Sequence, residues 1–236
     1  MVYSLQCCCD AIYKQNMSII KHGILGGFNG KVGNVVGSTW KGKSVMKIRP
    51  ATVTNPNTER QQNQRSRFGL VGRFLQAHRN LIRIGFRAYT KDMTASNAAM
   101  SYNLANAVSG QFPDLSMDFS KVRISMGTLA PVSGVAVASE SAASVTLNWL
   151  DNSQANNAHE SDQLVVSLFD VATSEVVYVP GCASRSQATA TLNLPAEWSG
   201  RTVEVLAFLI SLEGTSTSNG RESVSNTVYA GSLVIS

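Results

Sequence analysis

The sequence has little of what catalytic or membrane-spanning proteins need. It contains three histidines, His22, His78 and His159, and they are far apart along the chain. Acid–base and covalent chemistry requires several titratable groups gathered in one cleft, and no such constellation stands out. No stretch approaches the roughly 20 consecutive apolar residues of a transmembrane helix. We therefore expect a protein that is not an enzyme, uses no cofactor or metal, and does not insert into a membrane.

Cysteine is also sparse. Three of the four cysteines are consecutive, Cys7 to Cys9, and Cys182 stands alone. Adjacent cysteines do not have the spacing of a zinc site, and neither a disulfide framework nor a signal peptide is evident. Residues 1–22 are expected to form a flexible extension, and the chain is expected to be cytoplasmic or released in a particle.

Acidic residues are scarce in the first half of the chain. Residues 1–126 contain 17 Lys and Arg against 5 Asp and Glu, whereas residues 127–236 contain 3 against 10. Such asymmetry predicts two modules, a basic one over residues 23–126 and an acidic one over residues 132–236, with a linker at residues 127–131. A basic module suits a polyanion such as nucleic acid, or the acidic module of a second copy in head-to-tail association.

The segment Gly26–Pro50 concentrates glycine and basic residues. Within it, Gly37–Ser44 (GSTWKGKS) matches the phosphate-binding pattern G-x-x-x-x-G-K-S, which requires a helix opening at its Lys-Ser. The following residues alternate and end at Pro50, which disfavours a helix. A β-hairpin or small meander, with glycines at bulges and turns (Asn29-Gly30 and Lys41-Gly42), is the favoured interpretation, and a nucleotide site the remote alternative. The candidate interaction residues here are Lys31, Trp40, Lys41, Lys43 and Arg49.

Two helices are predicted next. The first begins at a cap formed by Asn55 or Thr58 and runs to about Thr90, with its apolar residues on one face. The second covers Ala95–Val108 and ends by Gly110, and residues 118–125 then alternate like a strand. The first helix carries a basic stripe that we expect to meet an anionic partner: Arg65, Arg73, Arg79, Arg83 and Arg87.

From Val132 onward the apolar period is two. We predict seven strands, near residues 132–138, 143–150, 162–170, 174–180, 187–194, 201–212 and 224–235. Trp149 should lie in the core. The segments SVTLNW and LNLPAEWSGRTVEVLAFLIS resemble the second strand and the corner before the sixth strand of fibronectin type III-like sandwiches. The aromatic residue usual at that corner is absent, and Trp198 is expected to replace it.

The chain from about Gly23 also resembles a family of uncharacterised proteins common in Bacteroidota genomes. The resemblance rests on GFNGKVGNVVGSTWKG, NPNTERQQNQRSRF, DFSKVRISMG and the sandwich. The hairpin followed by a Gln- and Arg-rich helix is similar to small structural proteins of prophage-like regions.

These observations together predict an α+β chain of two modules. A Gly-rich β-hairpin with amphipathic helices precedes a seven-stranded Ig/fibronectin III-like β-sandwich. The predicted function is that of a structural or interaction protein that self-associates, or docks in a larger phage-like or surface assembly, through its basic module. The alternative is a nucleic-acid-binding protein that uses the same module.

Overall fold

The computed structural model describes residues 19–20, 26–52, 55–90, 93–139, 141–155, 157–211 and 223–236. The chain divides into two compact units, Met1–Pro56 and Asn57–Ser236. The linker predicted at residues 127–131 lies within the second of these units. The predicted extension at residues 1–22 lies outside the described residues, apart from Ile19–Ile20.

The first unit contains an antiparallel sheet in the order β1-β2-β3-β4. Its strands are β1 Ile19–Ile20, β2 Phe28–Val32, β3 Val35–Trp40 and β4 Lys43–Ile48. Asn29-Gly30, predicted as a bulge or a turn, does not form a turn: both residues lie inside β2, where Gly30 has φ +119°. The chain reverses instead at Gly33-Asn34, where Gly33 has φ +58°, a conformation that glycine adopts without strain. The second turn falls at Lys41-Gly42, as predicted.

The second unit begins with helices α1 Glu59–Ala77, α2 Arg79–Gly85 and α3 Ala95–Asn106. The Thr58 hydroxyl caps α1 by accepting from the Gln61 N–H at 3.4 Å, and Thr94 caps α3 in the same way. A single helix to Thr90 was expected. The structure breaks it at His78 and ends it with a 3-10 turn at Arg87–Tyr89.

A small hairpin follows α3, formed by β5 Val108–Gln111 and β6 Asp114–Met117. Val108 and Gly110 therefore belong to β5, and α3 ends earlier than predicted. Residues 118–125 form no ladder, contrary to the predicted strand. Backbone groups of Arg123 and Ile124 bond side chains instead. The Asn103 amide pairs with both the N–H and the carbonyl of Arg123, and the Thr227 hydroxyl accepts from the Ile124 N–H.

Seven further strands form a sandwich, close to the predicted positions. They are β7 Ser133–Ala138, β8 Ser144–Leu150, β9 Gln163–Asp170, β10 Glu175–Ser184, β11 Thr189–Asn193, β12 Thr202–Ile210 and β13 Val228–Val234. One sheet has the order β11-β8-β7 and the other β10-β9-β12-β13. Trp149 is buried in this core, as the sequence predicted, and Trp198 is buried there too.

The β10-β9-β12-β13 sheet is covered on both faces, which explains the almost continuous burial along β9. Successive side chains of a strand point to opposite faces. Leu164, Val166 and Leu168 belong to the core between the two sheets. Val165 and Phe169 belong to a second core shared with the helices. The helices and the sandwich therefore form one unit.

Aromatic rings stabilise this second core. The rings of Phe74 in α1 and Phe169 in β9 meet edge to face, with centroids 5.2 Å apart. Phe119 completes the cluster, with its ring centroid 6.0 Å from that of Phe169. Each such pair contributes about 0.5–1.5 kcal/mol beyond the burial of its area.

Candidate interaction surfaces

The phosphate-binding pattern Gly37–Ser44 forms a β-hairpin. Trp40 and Lys43 are cross-strand partners, and the two turn residues between them have φ +46° and +80°. Positive φ at both positions is typical of the two-residue turn whose twist matches a hairpin. Lys43 and Ser44 therefore open a strand, and the helix whose N-terminus would face a phosphate is not formed at this position.

Glycine is required within this hairpin at Gly37. A Cβ atom there would lie 2.2 Å from the Phe28 carbonyl oxygen and 2.6 Å from Cδ2 of its ring. The Phe28 ring consequently covers Gly37, so the Phe28 side chain lies on the same face of the sheet as the position of the missing Gly37 side chain.

The sheet has one apolar face. Cross-strand partners in an antiparallel pair point to the same side, and the register pairs Val32 with Val35, and Val35 with Ile48. Met46, opposite Gly37, lies on this face too. The exposed fractions are 51% for Val32, 66% for Met46 and 79% for Ile48. We call Val32, Val35, Met46 and Ile48 the apolar face.

The opposite face is basic. It carries Lys31, Lys43 and Lys47, together with the half-exposed ring of Trp40. Arg49 continues β4 on this side, because its N–H donates to the Asn34 carbonyl at 2.7 Å. Residues 26–52 contain no Asp or Glu. We call Lys31, Trp40, Lys43, Lys47 and Arg49 the basic face.

Four of the five predicted hairpin residues thus share one face, and the fifth, Lys41, lies in the turn. The sequence interpretation omitted Lys47 and the apolar face. Their signal was present in the alternation of KSVMKIR, where basic residues and Val45 occupy one parity and Ser44, Met46 and Ile48 the other.

The arginine stripe is divided among separate places. Arg65 lies near the start of α1, where its guanidinium donates to the Asn57 side-chain oxygen at 3.3 Å. Arg73 lines a cavity of about 350 Å³ between α1, β6 and the end of β9. Arg79 opens α2, and Arg83 and Arg87 line a shallow depression of about 440 Å³.

Asp162, immediately before β9, forms a buried ion pair with Arg185. The Asp162 carboxylate and the Arg185 guanidinium are both fully buried, 2.9 Å apart. Arg185 also donates to the Ala130 carbonyl, and the same Asp162 oxygen accepts from the His159 N–H. Asp162 is therefore engaged in holding strand ends together. Among the described residues, no group of three or more His, Cys, Asp or Glu side chains is arranged to hold a metal ion.

A family of unknown function (DUF6266) matches residues 27–231, which extend across both compact units. The chain belongs to this family. No curated protein matches the chain. Among solved structures, the fn3 domain of human collagen alpha-1(XX) chain is similar at 19% identity and a TM-score of 0.30, over 46% of this chain and 86% of that one.

Burial shifts the pKa of two titratable side chains of this DUF6266 protein. Burial raises the pKa of the Cys182 thiol to about 11, so it stays protonated at neutral pH. Burial lowers the pKa of His78 to about 4, although the Phe74 carbonyl works in the other direction. In the described ranges, no helix is long and apolar enough to cross a lipid bilayer.

Proposed function

We propose that this protein is a non-enzymatic interaction protein, which docks onto another protein of a larger assembly through the sheet of residues 26–52. One observation supports this proposal above the others. No hydrophobic side chain of residues 26–52 is buried, whereas the second unit contains two apolar cores of its own. An exposed apolar patch rimmed by polar residues is typical of a protein–protein interface.

The apolar face offers part of the free energy for docking. Fully burying a Val, Ile or Met side chain contributes about 1.5–3 kcal/mol, and three of the four side chains of the apolar face are at least half exposed. The partner is a second copy of the chain or a different protein of a phage-like or surface assembly. A second copy would bind head to tail, with the basic residues of one chain against the acidic residues of the other. The charge asymmetry favours this arrangement, because residues 127–236 carry more acidic than basic side chains.

Site-specific photocrosslinking tests this function. A photoreactive amino acid at position 48 is compared with the same amino acid at position 150. Leu150 is a matched control, because it lies in the sandwich and is 64% exposed. We expect a discrete crosslinked protein, either the chain itself or a partner, from position 48 and not from position 150. Equal or absent crosslinking at the two positions would refute docking through this sheet.

A second candidate function, nucleic-acid binding, is favoured by the basic face. Trp40 lies beside Lys43 on a surface without acid, and an aromatic ring among basic side chains suits stacking of bases along a phosphate backbone. Titration of a labelled single-stranded oligonucleotide at several salt concentrations tests it. Affinity that falls steeply with salt and is lost in Trp40→Ala would support this candidate. Crosslinking at position 48 that survives nuclease treatment would favour the protein partner.

A further inference from the structure

β4 is an edge strand whose outward backbone groups can be identified. In an antiparallel hairpin the residues alternate between pairs that exchange hydrogen bonds and pairs that do not. The Arg49 N–H donates to the Asn34 carbonyl, so the odd-numbered residues of β4 bond to β3. The even-numbered residues Ser44, Met46 and Ile48 therefore direct their N–H and carbonyl groups away from β3. Within the described residues, no strand pairs with this outer edge.

The same strand carries a two-sided side-chain pattern. Met46 and Ile48 extend the apolar face along the edge, and Lys43, Lys47 and Arg49 extend the basic face. Unprotected edge strands pair readily with other chains. Proteins commonly blunt such edges with lysine, proline or a bulge. β4 pairs with β3 without proline or a bulge from Lys43 to Ile48, and its lysines oppose pairing only with a like-charged strand.

Charge determines which strand fits. If β4 of a second copy were added in antiparallel orientation, residues on the same face would be opposed, for example Lys43 to Lys47 with Val45 opposite itself. If the register is shifted by two residues, Lys43 lies opposite Arg49 of the second copy. If the two strands run parallel, each basic residue lies opposite the same residue of the second copy. Like charges directly opposite one another destabilise a sheet, whereas opposite charges stabilise it.

We propose that the outer edge of β4 accepts an extended segment of a partner protein in which acidic residues alternate with apolar ones. The backbone of that segment extends the sheet, its acidic side chains lie opposite Lys43, Lys47 and Arg49, and its apolar side chains pack beside Met46 and Ile48. This inference rests on the proposed docking function and specifies its geometry: strand addition at an edge.

A peptide with alternating Glu and Val, of the six-residue length of β4, is the probe. Its binding to the full chain is followed by fluorescence anisotropy, next to a peptide in which Lys replaces Glu. The decisive variant is Met46→Pro, because proline removes an N–H that points outward and leaves the bonds to β3 in place. The matched control is Met46→Val, which keeps the N–H and an apolar side chain. We expect Met46→Pro to weaken binding about tenfold and Met46→Val to change it less than about twofold.

A charge-reversed variant keeps the test informative if Met46→Pro fails to fold. Lys43→Glu, Lys47→Glu and Arg49→Glu together should exchange the preference, so that the Lys–Val peptide binds and the Glu–Val peptide does not. A misfolded chain would not gain a new partner. Equal binding of both peptides to the wild-type chain would overturn the charge argument, and equal affinities for Met46→Pro and Met46→Val would overturn strand addition.

The outcomes separate this inference from the function on which it rests. If the wild-type chain binds the Glu–Val and Lys–Val peptides equally but position 48 still crosslinks, the sheet docks through the side chains of one face, and the edge proposal is wrong. Concentration-dependent oligomers in sedimentation that disappear in Met46→Pro identify a second copy as the occupant of the edge, which overturns the proposal of a separate partner protein. Absence of crosslinking removes the docking function itself.

Discussion

Lowering the pH should weaken the packing of the helices on the sandwich through one residue, His78. This side chain is fully buried at the break between α1 and α2, with its ring centroid 4.2 Å from that of Phe74 and 5.3 Å from that of Phe169. Nδ1 lies 2.9 Å from the Phe74 carbonyl oxygen, so Nδ1 carries the proton of the neutral ring. Nε2 is buried and has no hydrogen-bond partner. Protonating it would place a charge among aromatic rings.

The magnitude follows from the pKa. Burial lowers the pKa of His78 from 6.5 to about 4 in the folded protein. Because the folded-state pKa is depressed, the stabilising contribution is fully present above pH 6.5 and declines as the pH falls toward 4. One pKa unit corresponds to about 1.36 kcal/mol, so the unfolding free energy should fall by about 3 kcal/mol over this window.

Urea unfolding at about pH 7.5 and about pH 4 measures this loss. The wild-type chain is compared with His78→Leu, which is similar in size and cannot titrate. Comparing the two pH values within each variant cancels the cost of the substitution itself. Burial works against ionisation of Asp170, but hydrogen bonds from Thr173 and Ala172 hold its pKa below the ordinary 3.8, so its contribution is lost below this window. An equal pH dependence in both proteins would refute the reasoning.

Three further predictions concern the stability of the second unit. Arg185→Met should cost about 3–5 kcal/mol in urea unfolding, because it leaves the Asp162 carboxylate buried without its cation; adding Asp162→Leu should recover much of that loss, and no recovery would contradict the explanation. Gly85→Ala should lower the melting temperature, because a Cβ atom there would lie 2.3 Å from a backbone oxygen. Gly69→Ala should instead stabilise α1 by up to about 1 kcal/mol, because a Cβ atom there would have nothing within 4 Å. Melting temperatures that shift in the same direction in both variants would contradict this contrast. Phe169→Ala should cost about 3–5 kcal/mol, because its ring belongs to the core shared by the helices and the sandwich; a cost below about 1 kcal/mol would show that this core contributes little.

The local features of the fold could be predicted because their causes are local. The turn at Lys41-Gly42 follows from the dipeptide. The cap Thr58, one of the two predicted candidates, follows from a hydroxyl placed three residues before the N–H group from which it accepts. The seven sandwich strands follow from the period of two. Trp149 could be placed in the core by its parity with Val145 and Leu147 in β8, and the structure confirms it.

The candidate surfaces were only partly predictable. The basic face of the sheet follows from composition and alternation. The prediction of an arginine stripe assumes one continuous helix, whereas the structure divides that helix at His78. A buried histidine whose ring packs on β9 favours the break, and no pattern within the helix sequence reveals a partner almost a hundred residues away.

The sequence by itself determined the positions of most strands, two helix starts, the hairpin that replaces a phosphate loop, and the distribution of charge. Each of these depends on neighbours within a few residues. Only the tertiary structure decided that the helices share a core with β9 and β12, and that residues 118–125 bond to side chains of Asn103 and Thr227 rather than to a strand. It also decided that β4 is the edge of its sheet. The physical reason is that a period of two shows which residues share a face, whereas what covers each face depends on segments that are distant in sequence.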